Sequence, residues 1–119
     1  MAERDYVIGV DCSTTAAKAV VWDRQGAAVS SARFAFEFSQ PRPGWGEQNA
    51  EDWWAATRSA IQRTVQTVER TRLAGLCLTH QRETFVCLDA DGNPLRPAML
   101  WMDGRATAQV ASHGTEEVH

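Results

Sequence analysis

The segment "YVIGVDCSTTAAKAVVW", residues 6–22, decides the fold of this chain. Both of its ends are short apolar runs rich in β-branched residues, and the part between them is polar. This pattern predicts two strands of a hairpin. Every second residue from Phe34 to Phe38 is a phenylalanine, which predicts a third antiparallel strand over 32–38 with one buried face.

One long helix is predicted after these strands. Residues 39–48 contain two prolines and two glycines and therefore predict a loop. Asn49 follows the loop and suits the N-cap of a helix over 50–69. Four apolar residues recur at helical spacing and are expected to face the sheet, namely Trp54, Ile61, Val65 and Val68.

The last third of the chain predicts three strands and a short helix. The continuous apolar run 73–79 is typical of a central strand that is buried on both faces. Residues 85–89 and 98–101 predict a second hairpin, and 105–114 predict a short helix that ends at Gly114. The order β-β-β-α-β-β-β-α indicates an α/β protein with a mixed sheet. Residues 115–119 predict the start of another helix.

Composition excludes several classes of function. The 119 residues have a formal net charge of −3, and their positive charges are scattered, so nucleic acid is not an expected partner. No apolar run is long enough to span a bilayer, and the N-terminus lacks the pattern of a signal peptide, so we expect a cytoplasmic protein without membrane contact. The three cysteines have no zinc-site spacing and are expected to be reduced thiols in the core.

The polar part of the opening segment suits a phosphate-binding turn. Asp11 at the end of a strand can hold a hydrated magnesium ion. The hydroxyls and backbone N–H groups of Ser13, Thr14 and Thr15 can bind phosphate oxygens, and Lys18 adds a positive charge. The alternative from these residues alone is a polar hairpin whose hydroxyls only satisfy turn amides.

Two later segments offer groups for a polyhydroxylated ligand. Gln81, Arg82 and Glu83 follow the predicted central strand and present an amide, a guanidinium and a carboxylate in succession. Trp101 can form an apolar wall, and Asp103 can accept a hydrogen bond from a hydroxyl. The alternatives are an exposed Arg82–Glu83 pair, a core tryptophan and an aspartate that caps a helix.

Three segments together resemble a known family. The stretches "GVDCSTTAAKAVVWD", "GWGEQNAEDWW" and "LTHQRETFVCLDADGNPLRPAMLWMDGRA" resemble, in this order, the N-terminal region of the FGGY family of carbohydrate kinases. The resemblance implies an actin-like, ribonuclease H-like mixed sheet with flanking helices. It also implies transfer of the ATP γ-phosphate to a sugar or polyol hydroxyl, with Mg²⁺, in a cleft between two such domains. Residues 1–119 would be the incomplete N-terminal portion of such a kinase.

The resemblance also assigns roles to single residues. Asp11 would serve the metal, Gln81 would support the site, and Trp101 would form an aromatic wall. Ser13 and Ala16 depart from the usual residues, so the phosphate turn is expected to lose a contact. The remaining roles are phosphate binding by Thr14, Thr15 and Lys18 and substrate binding by Arg82, Glu83 and Asp103.

The catalytic residue implied by the resemblance is not in this segment. In the family, an aspartate that deprotonates the acceptor hydroxyl lies beyond the position of residue 119, so we expect residues 1–119 alone to be inactive. Two alternatives stay open: a truncated, non-catalytic polyol- or phosphate-binding module, and a nuclease with Asp11 and Glu83 as metal ligands. The identity of the sugar and a homo-oligomeric state of the intact protein are also left open.

Overall fold

A four-stranded mixed sheet forms the centre of the molecule. The computed structural model describes residues 3–114. Its sheet has the order β3-β2-β1-β5, in which β1 pairs with β2 and β2 with β3 in antiparallel fashion, while β1 and β5 are parallel. Three antiparallel strands in a row are therefore confirmed. The strands of this sheet are β1 (Tyr6–Cys12), β2 (Ala16–Trp22), β3 (Ala28–Ala35) and β5 (Leu73–His80).

One helix, α1 (Ala50–Thr64), packs across β2 and β3 and closes the core. Asn49 caps it as predicted, because its side chain accepts a hydrogen bond from the backbone N–H of Glu51 at 3.1 Å. Small side chains on the sheet-facing side of α1 allow the helix to approach the strands closely. The buried core cluster consists of Ile8, Val10, Ala19, Val21 and Ala60, and Ile61, Val65 and Val68 pack against it.

Two details of the predicted helix are wrong. The α-helix ends at Thr64, and a single 3₁₀ turn, Val65–Thr67, follows it. Trp54 is 62% exposed, because the stripe that faces the sheet contains Ala56, Thr57, Ala60 and Thr64 instead.

The third strand lies earlier in the chain than predicted. It ends at Ala35, which is the last residue of β3 in register with β2. Phe34 and Phe38 are 39% and 38% exposed, so the predicted buried face of phenylalanines is not formed. The strand is at the edge of the sheet, and the chain leaves the ladder after one hydrogen bond from the N–H of Phe36 to the carbonyl of Thr15.

The predicted central strand is a second edge strand. Within residues 3–114, β5 pairs with β1 alone, and α1 lies over the opposite half of the sheet. Leu76 and Leu78 are therefore about half exposed, at 50% and 52%. The prediction that 73–79 is buried on both faces is wrong for the described part of the chain.

A small second sheet joins the predicted loop to the predicted hairpin. It consists of β4 (Glu47–Gln48) and β6 (Ala98–Met99), paired in antiparallel fashion. Phe85 forms a bridge with Met99, so the second hairpin is confirmed in outline, with less regular strand than predicted. The sequence pattern gave no sign of β4.

The remaining predictions have mixed outcomes. A short helix, α2 (Thr107–His113), ends before Gly114 as predicted, whereas the helix predicted to start in 115–119 lies outside the described residues. All three cysteines are free thiols, but Cys12 alone is buried, and Cys77 and Cys87 are exposed. None of the helices within residues 3–114 combines the length and apolar character needed to cross a bilayer.

Candidate active site

Parallel pairing of β1 and β5 brings the two predicted ligand segments together. Asp11 is in register with Thr79, and Cys12 with His80, so the turn after β1 and the segment after β5 emerge at the same end of the sheet. Ligands commonly bind at the carboxyl ends of parallel strands. The fold therefore places residues 13–15 beside residues 81–84.

A cavity of about 300 Å³ lies between these two segments. Thr14 and Glu83 share it, although 68 residues separate them in the sequence. His80, which the sequence analysis did not assign, also contributes to its wall. The cavity is lined by Asp11, Ser13, Thr14, His80, Gln81, Arg82, Glu83 and Trp101.

The turn between β1 and β2 is held by its own hydrogen bonds. Both the backbone N–H and the hydroxyl of Ser13 donate to the carbonyl of Ala16, at 2.9 and 3.1 Å. Thr15 is exposed and does not line the cavity, and its carbonyl accepts from the backbone N–H of Phe36, the residue after the end of β3. Behind the turn, burial raises the pKa of the Cys12 thiol, so this side chain stays neutral and acts as packing.

Lys18 lies on the face of the sheet opposite α1. It is in register with Asp11 on the neighbouring strand, and both residues line a second cavity of about 310 Å³. Asp11 borders both cavities, so it lies between the cavity that Lys18 lines and the cavity that Glu83 lines. The cavity that Lys18 lines is therefore next to the cavity of the candidate site, and the two share Asp11.

The backbone at Glu83 adopts an unusual conformation. Its φ of 65° lies in the left-handed region, and it is the one non-glycine residue of the described chain with a positive φ. This conformation costs a non-glycine residue about 1–2 kcal/mol. Strain of this kind is found where a side chain must be aimed for function, and the exposed Glu83 side chain lines the cavity.

Trp101 closes one side of the cavity. Its indole N–H donates to the hydroxyl of Thr14 at 3.1 Å, and its backbone N–H donates to the hydroxyl of Thr84 at 3.0 Å. Trp101 as a whole is 55% exposed. It therefore presents an apolar surface to the cavity rather than filling the core, which was the alternative.

Asp103 lies outside the cavity. Its side chain is only 3% exposed, and it accepts hydrogen bonds from the Arg105 guanidinium and from the backbone N–H of Gly46, at 2.6 and 2.8 Å. The Arg105 guanidinium holds the pKa of this carboxyl well below its usual range. It does not cap α2, whose N-cap is Ala106. Substrate binding by Asp103 stays a prediction, and the contacts of this residue are structural.

Asp11 offers a carboxylate to a metal ion at the rim of the cavity. Within residues 3–114, no three His, Cys, Asp or Glu side chains cluster as a protein metal cage would require. Mg²⁺ is usually held by one or two carboxylates together with substrate phosphates and waters, so a single carboxylate at the rim of the cavity fits its chemistry.

Besides His80, the sequence analysis missed two residues that hold the site together. Gln48 is 2% exposed and donates from its amide to the carbonyl of Thr14 at 2.8 Å. Thr84 donates to the side chain of Gln81 at 3.1 Å. Neither residue carries a periodic or spacing signal, because Gln48 reaches Thr14 and Thr84 accepts from Trp101 across long stretches of sequence.

Comparisons with known proteins give the family of this chain. The family model described as "FGGY family of carbohydrate kinases, N-terminal domain" matches residues 6–118. A glycerol kinase from Thermococcus gammatolerans is 36% identical over 107 residues, and a xylulose kinase from Staphylococcus xylosus is 33% identical over 105 residues. Each alignment covers 88% of this chain and 22% of the relative, so the chain spans about a fifth of the length of these relatives.

Solved structures share the fold. The crystal structure of a xylulose kinase from Rhodospirillum rubrum matches with a TM-score of 0.85 and 32% identity, over 90% of this chain and 22% of that one. A Plasmodium falciparum glycerol kinase with ADP matches with a TM-score of 0.81 and 22% identity, over 96% of this chain and 24% of that one. The predicted actin-like, ribonuclease H-like fold class is confirmed. This chain belongs to the FGGY family of carbohydrate kinases.

Proposed function

We propose that this chain forms the N-terminal part of an ATP-dependent kinase that phosphorylates a hydroxyl of a sugar or polyol. The observation that carries the proposal is the shared cavity, with the Ser13–Thr14 turn on one side and Gln81–Glu83 on the other. Its volume of about 300 Å³ suits a small ligand. The glycerol and xylulose kinase relatives support a polyol or sugar acceptor.

In this proposal, the turn binds the phosphate end of ATP. The Thr14 hydroxyl, which accepts from Trp101, can donate its own proton to a phosphate oxygen at the cavity wall, while the Ser13 hydroxyl holds the turn by donating to the carbonyl of Ala16. Lys18 offers a positive charge on the far side of Asp11. Asp11 would hold Mg²⁺, which supplies charge neutralisation for the phosphate oxygens. The ADP in the Plasmodium glycerol kinase supports a nucleotide ligand for this fold.

The acceptor lies on the other side of the cavity. Arg82 donates to its hydroxyls and Glu83 accepts from them, while the carbon face of the sugar packs against Trp101. In the reaction, the acceptor oxygen forms a bond with the γ-phosphorus of ATP, and the bond from that phosphorus to the β–γ bridging oxygen breaks. In this proposal the hydroxyl proton passes to a general base, which the family resemblance leads us to expect beyond residue 119.

The partners in this proposal are the two small substrates, ATP and the sugar or polyol. The proposal gives no role to nucleic acid or to a membrane. We place the reaction in the cytoplasm, where ATP is available. The sugar itself is identified by assaying the complete kinase with glycerol, xylulose, ribulose, gluconate and erythritol.

Replacement of Glu83 tests the proposal. In the complete kinase, Glu83→Ala should raise the KM for the sugar about tenfold or more, because a hydrogen bond from a substrate hydroxyl to a charged group contributes roughly 1.5–3 kcal/mol. ATP hydrolysis without sugar should stay unchanged, since Glu83 faces the acceptor side. Coupled assays of ADP release, with and without sugar, measure both quantities.

The conservative variant Glu83→Gln is the matched control. It keeps the length of the side chain and one acceptor oxygen, so its KM should lie between those of the wild type and Glu83→Ala. Equal loss of sugar phosphorylation and sugar-independent hydrolysis in Glu83→Ala would remove Glu83 from the acceptor site. A wild-type protein that binds polyols without transferring phosphate would instead favour a non-catalytic binding module.

A further inference from the structure

The side chain of Gln48 has every hydrogen-bonding position filled. Its amide nitrogen donates to the carbonyls of Thr14 and Glu37, at 2.8 and 3.0 Å. Its amide oxygen accepts from the indole N–H of Trp53 and from the side chain of Gln81, at 2.6 and 3.1 Å. A primary amide has two donors and two acceptor sites, so the orientation of this one is determined by its partners.

These bonds are part of a closed ring that runs around the candidate site. From Gln81, the ring continues through the hydroxyl of Thr84, which donates to the Gln81 side chain and accepts from the backbone N–H of Trp101. The indole N–H of Trp101 then donates to the hydroxyl of Thr14. The ring therefore starts and ends at the proposed phosphate turn and passes through the proposed acceptor segment.

Every member of this ring is uncharged, and Gln48 is its buried member, at 2% exposed. A neutral ring adds no net charge beside the phosphates and is not weakened by salt. Inside a protein, connected hydrogen bonds of this kind strengthen one another and specify one geometry. Trp101 is held at two points, by its backbone and by its indole, so the orientation of its ring depends on the positions of Thr14 and Thr84.

We propose that Gln48 is a positioning residue for phosphoryl transfer, which holds the turn at 13–15 and the segment 81–84 at one fixed separation. This inference rests on the proposed function, because it concerns the distance between the two substrates of the kinase. Gln48 touches neither substrate, since it does not line the cavity, and it acts through the carbonyl of Thr14 and the amide of Gln81.

A positioning role has a kinetic signature. Reacting atoms must approach to about 3–3.5 Å, and a misplacement of about 1 Å can cost a hundredfold in rate. Loss of Gln48 should therefore lower kcat about tenfold to a hundredfold per folded molecule, with changes below about threefold in the KM for ATP and for the sugar. A purely structural role would lower the amount of folded protein and leave kcat per folded molecule unchanged.

The experiment compares Gln48→Met with two controls in the complete kinase. Methionine keeps the length of the side chain and removes all four hydrogen bonds. Gln62→Met makes the same chemical change at an exposed position of α1. Thr64→Val removes another buried bond to the strands, from the Thr64 hydroxyl to the carbonyl of Ala19 at 3.1 Å, away from the ring.

A spectroscopic readout tests the ring without reference to activity. The indole N–H signal of Trp101, identified by its absence in Trp101→Phe, reports the bond to Thr14 in a spectrum of ¹⁵N-tryptophan-labelled protein. We expect this signal to shift in Gln48→Met and to stay in place in Gln62→Met and Thr64→Val. If Gln48→Met does not fold, Thr84→Val opens the same ring at a less buried point and should show the same loss of kcat and the same shift.

The outcomes separate the inference from the function on which it rests. An unmoved Trp101 signal, or a kcat per folded molecule equal to that of Thr64→Val, overturns the role of Gln48. A shifted Trp101 signal together with a selective loss of kcat supports it. A wild-type protein that phosphorylates no sugar overturns the proposed function, whatever the Trp101 signal does.

Discussion

Glu47 and Gln48 are neighbours in a two-residue strand, and they belong to two different kinds of network. Gln48 joins the uncharged ring around the cavity. Glu47 joins an ionic cluster, in which it pairs with Arg96 at 2.7 Å and with Arg105 at 2.8 Å. The difference follows from the alternation of side chains along a strand, which sends adjacent residues to opposite faces.

The ionic cluster has the features of a structural anchor. Arg105 contacts the carboxylates of Glu47 and Asp103, and its guanidinium lies 3.8 Å from the centre of the Trp45 ring. Arg42 lies near the same ring, at 4.9 Å. Charged pairs stabilise through attraction over several ångströms, whereas hydrogen bonds of a neutral ring depend strongly on distance and angle. We infer that the cluster stabilises the loop before β4 and that the ring sets the geometry of the site.

The largest effect on stability is expected from Arg105→Met. This change leaves the Asp103 carboxylate, 3% exposed, without its cationic partner and also removes the stacking on Trp45. In urea denaturation, the midpoint should fall more than in Thr64→Val, for which the loss of one buried hydrogen bond costs about 1–2 kcal/mol. The kcat per folded molecule should fall less than in Gln48→Met.

A larger loss of kcat per folded molecule in Arg105→Met than in Gln48→Met would contradict this comparison of the cluster with the ring. It would mean that the ionic cluster controls the geometry of the site and that the ring is secondary. The double variant Asp103→Asn with Arg105→Met serves as a control, because it removes the unpaired charge and should recover part of the lost stability.

A dependence on pH of intermediate size is expected from Asp103. Its pKa in the folded protein is lowered by Arg105, while the usual value is 3.8. A lowered pKa contributes stability above pH 3.8, and this contribution is lost as the pH falls through 3.8 toward the lower value in the folded state. Between pH 6 and pH 3, the thermal midpoint of Asp103→Asn should therefore fall less than that of the wild type.

Parallel thermal melts of the two proteins at each pH measure this difference. If both midpoints fell by the same amount, the acid sensitivity would come from other carboxylates, and the assignment of Asp103 to a charged pair would fail. The ring around Gln48 contains no titratable group, so Gln48→Met should keep the pH slope of the wild type.

The smallest effect is expected from Arg96→Ala. The Arg96 side chain is 39% exposed, and Glu47 keeps its bond to Arg105 when Arg96 is lost. Exposed pairs contribute about 0–1 kcal/mol and weaken with salt. The change in unfolding free energy should be below about 0.5 kcal/mol and should vanish in 1 M NaCl. A larger change in unfolding free energy that persists in 1 M NaCl would show that Arg96 stabilises the fold by packing and not by its ion pair with Glu47.

Local patterns predicted most of the elements but not their surroundings. Helical spacing and the cap at Asn49 predicted α1, and two apolar runs on either side of a polar segment predicted the β1–β2 hairpin. The same reasoning wrongly predicted that Trp54 and the strand at 73–79 are buried. Hydrophobicity indicates which residues a chain can bury, but it does not indicate which neighbour covers them. β4 was missed, since two residues after a loop of prolines and glycines carry no period.

The sequence by itself determined the chemical groups at this site. The hydroxyls after β1, the charged residues after β5 and the tryptophan after β6 can be read directly from three segments, because their residue types and order carry the signal. Only the tertiary structure decided that these groups share one cavity and that Gln48 links them. It also decided that Asp103 lies outside the cavity and pairs with Arg105. The reason is physical: hydrogen bonds between residues more than 30 positions apart leave no pattern in a linear chain, and the pairing of β1 with β5 brings their partners within reach.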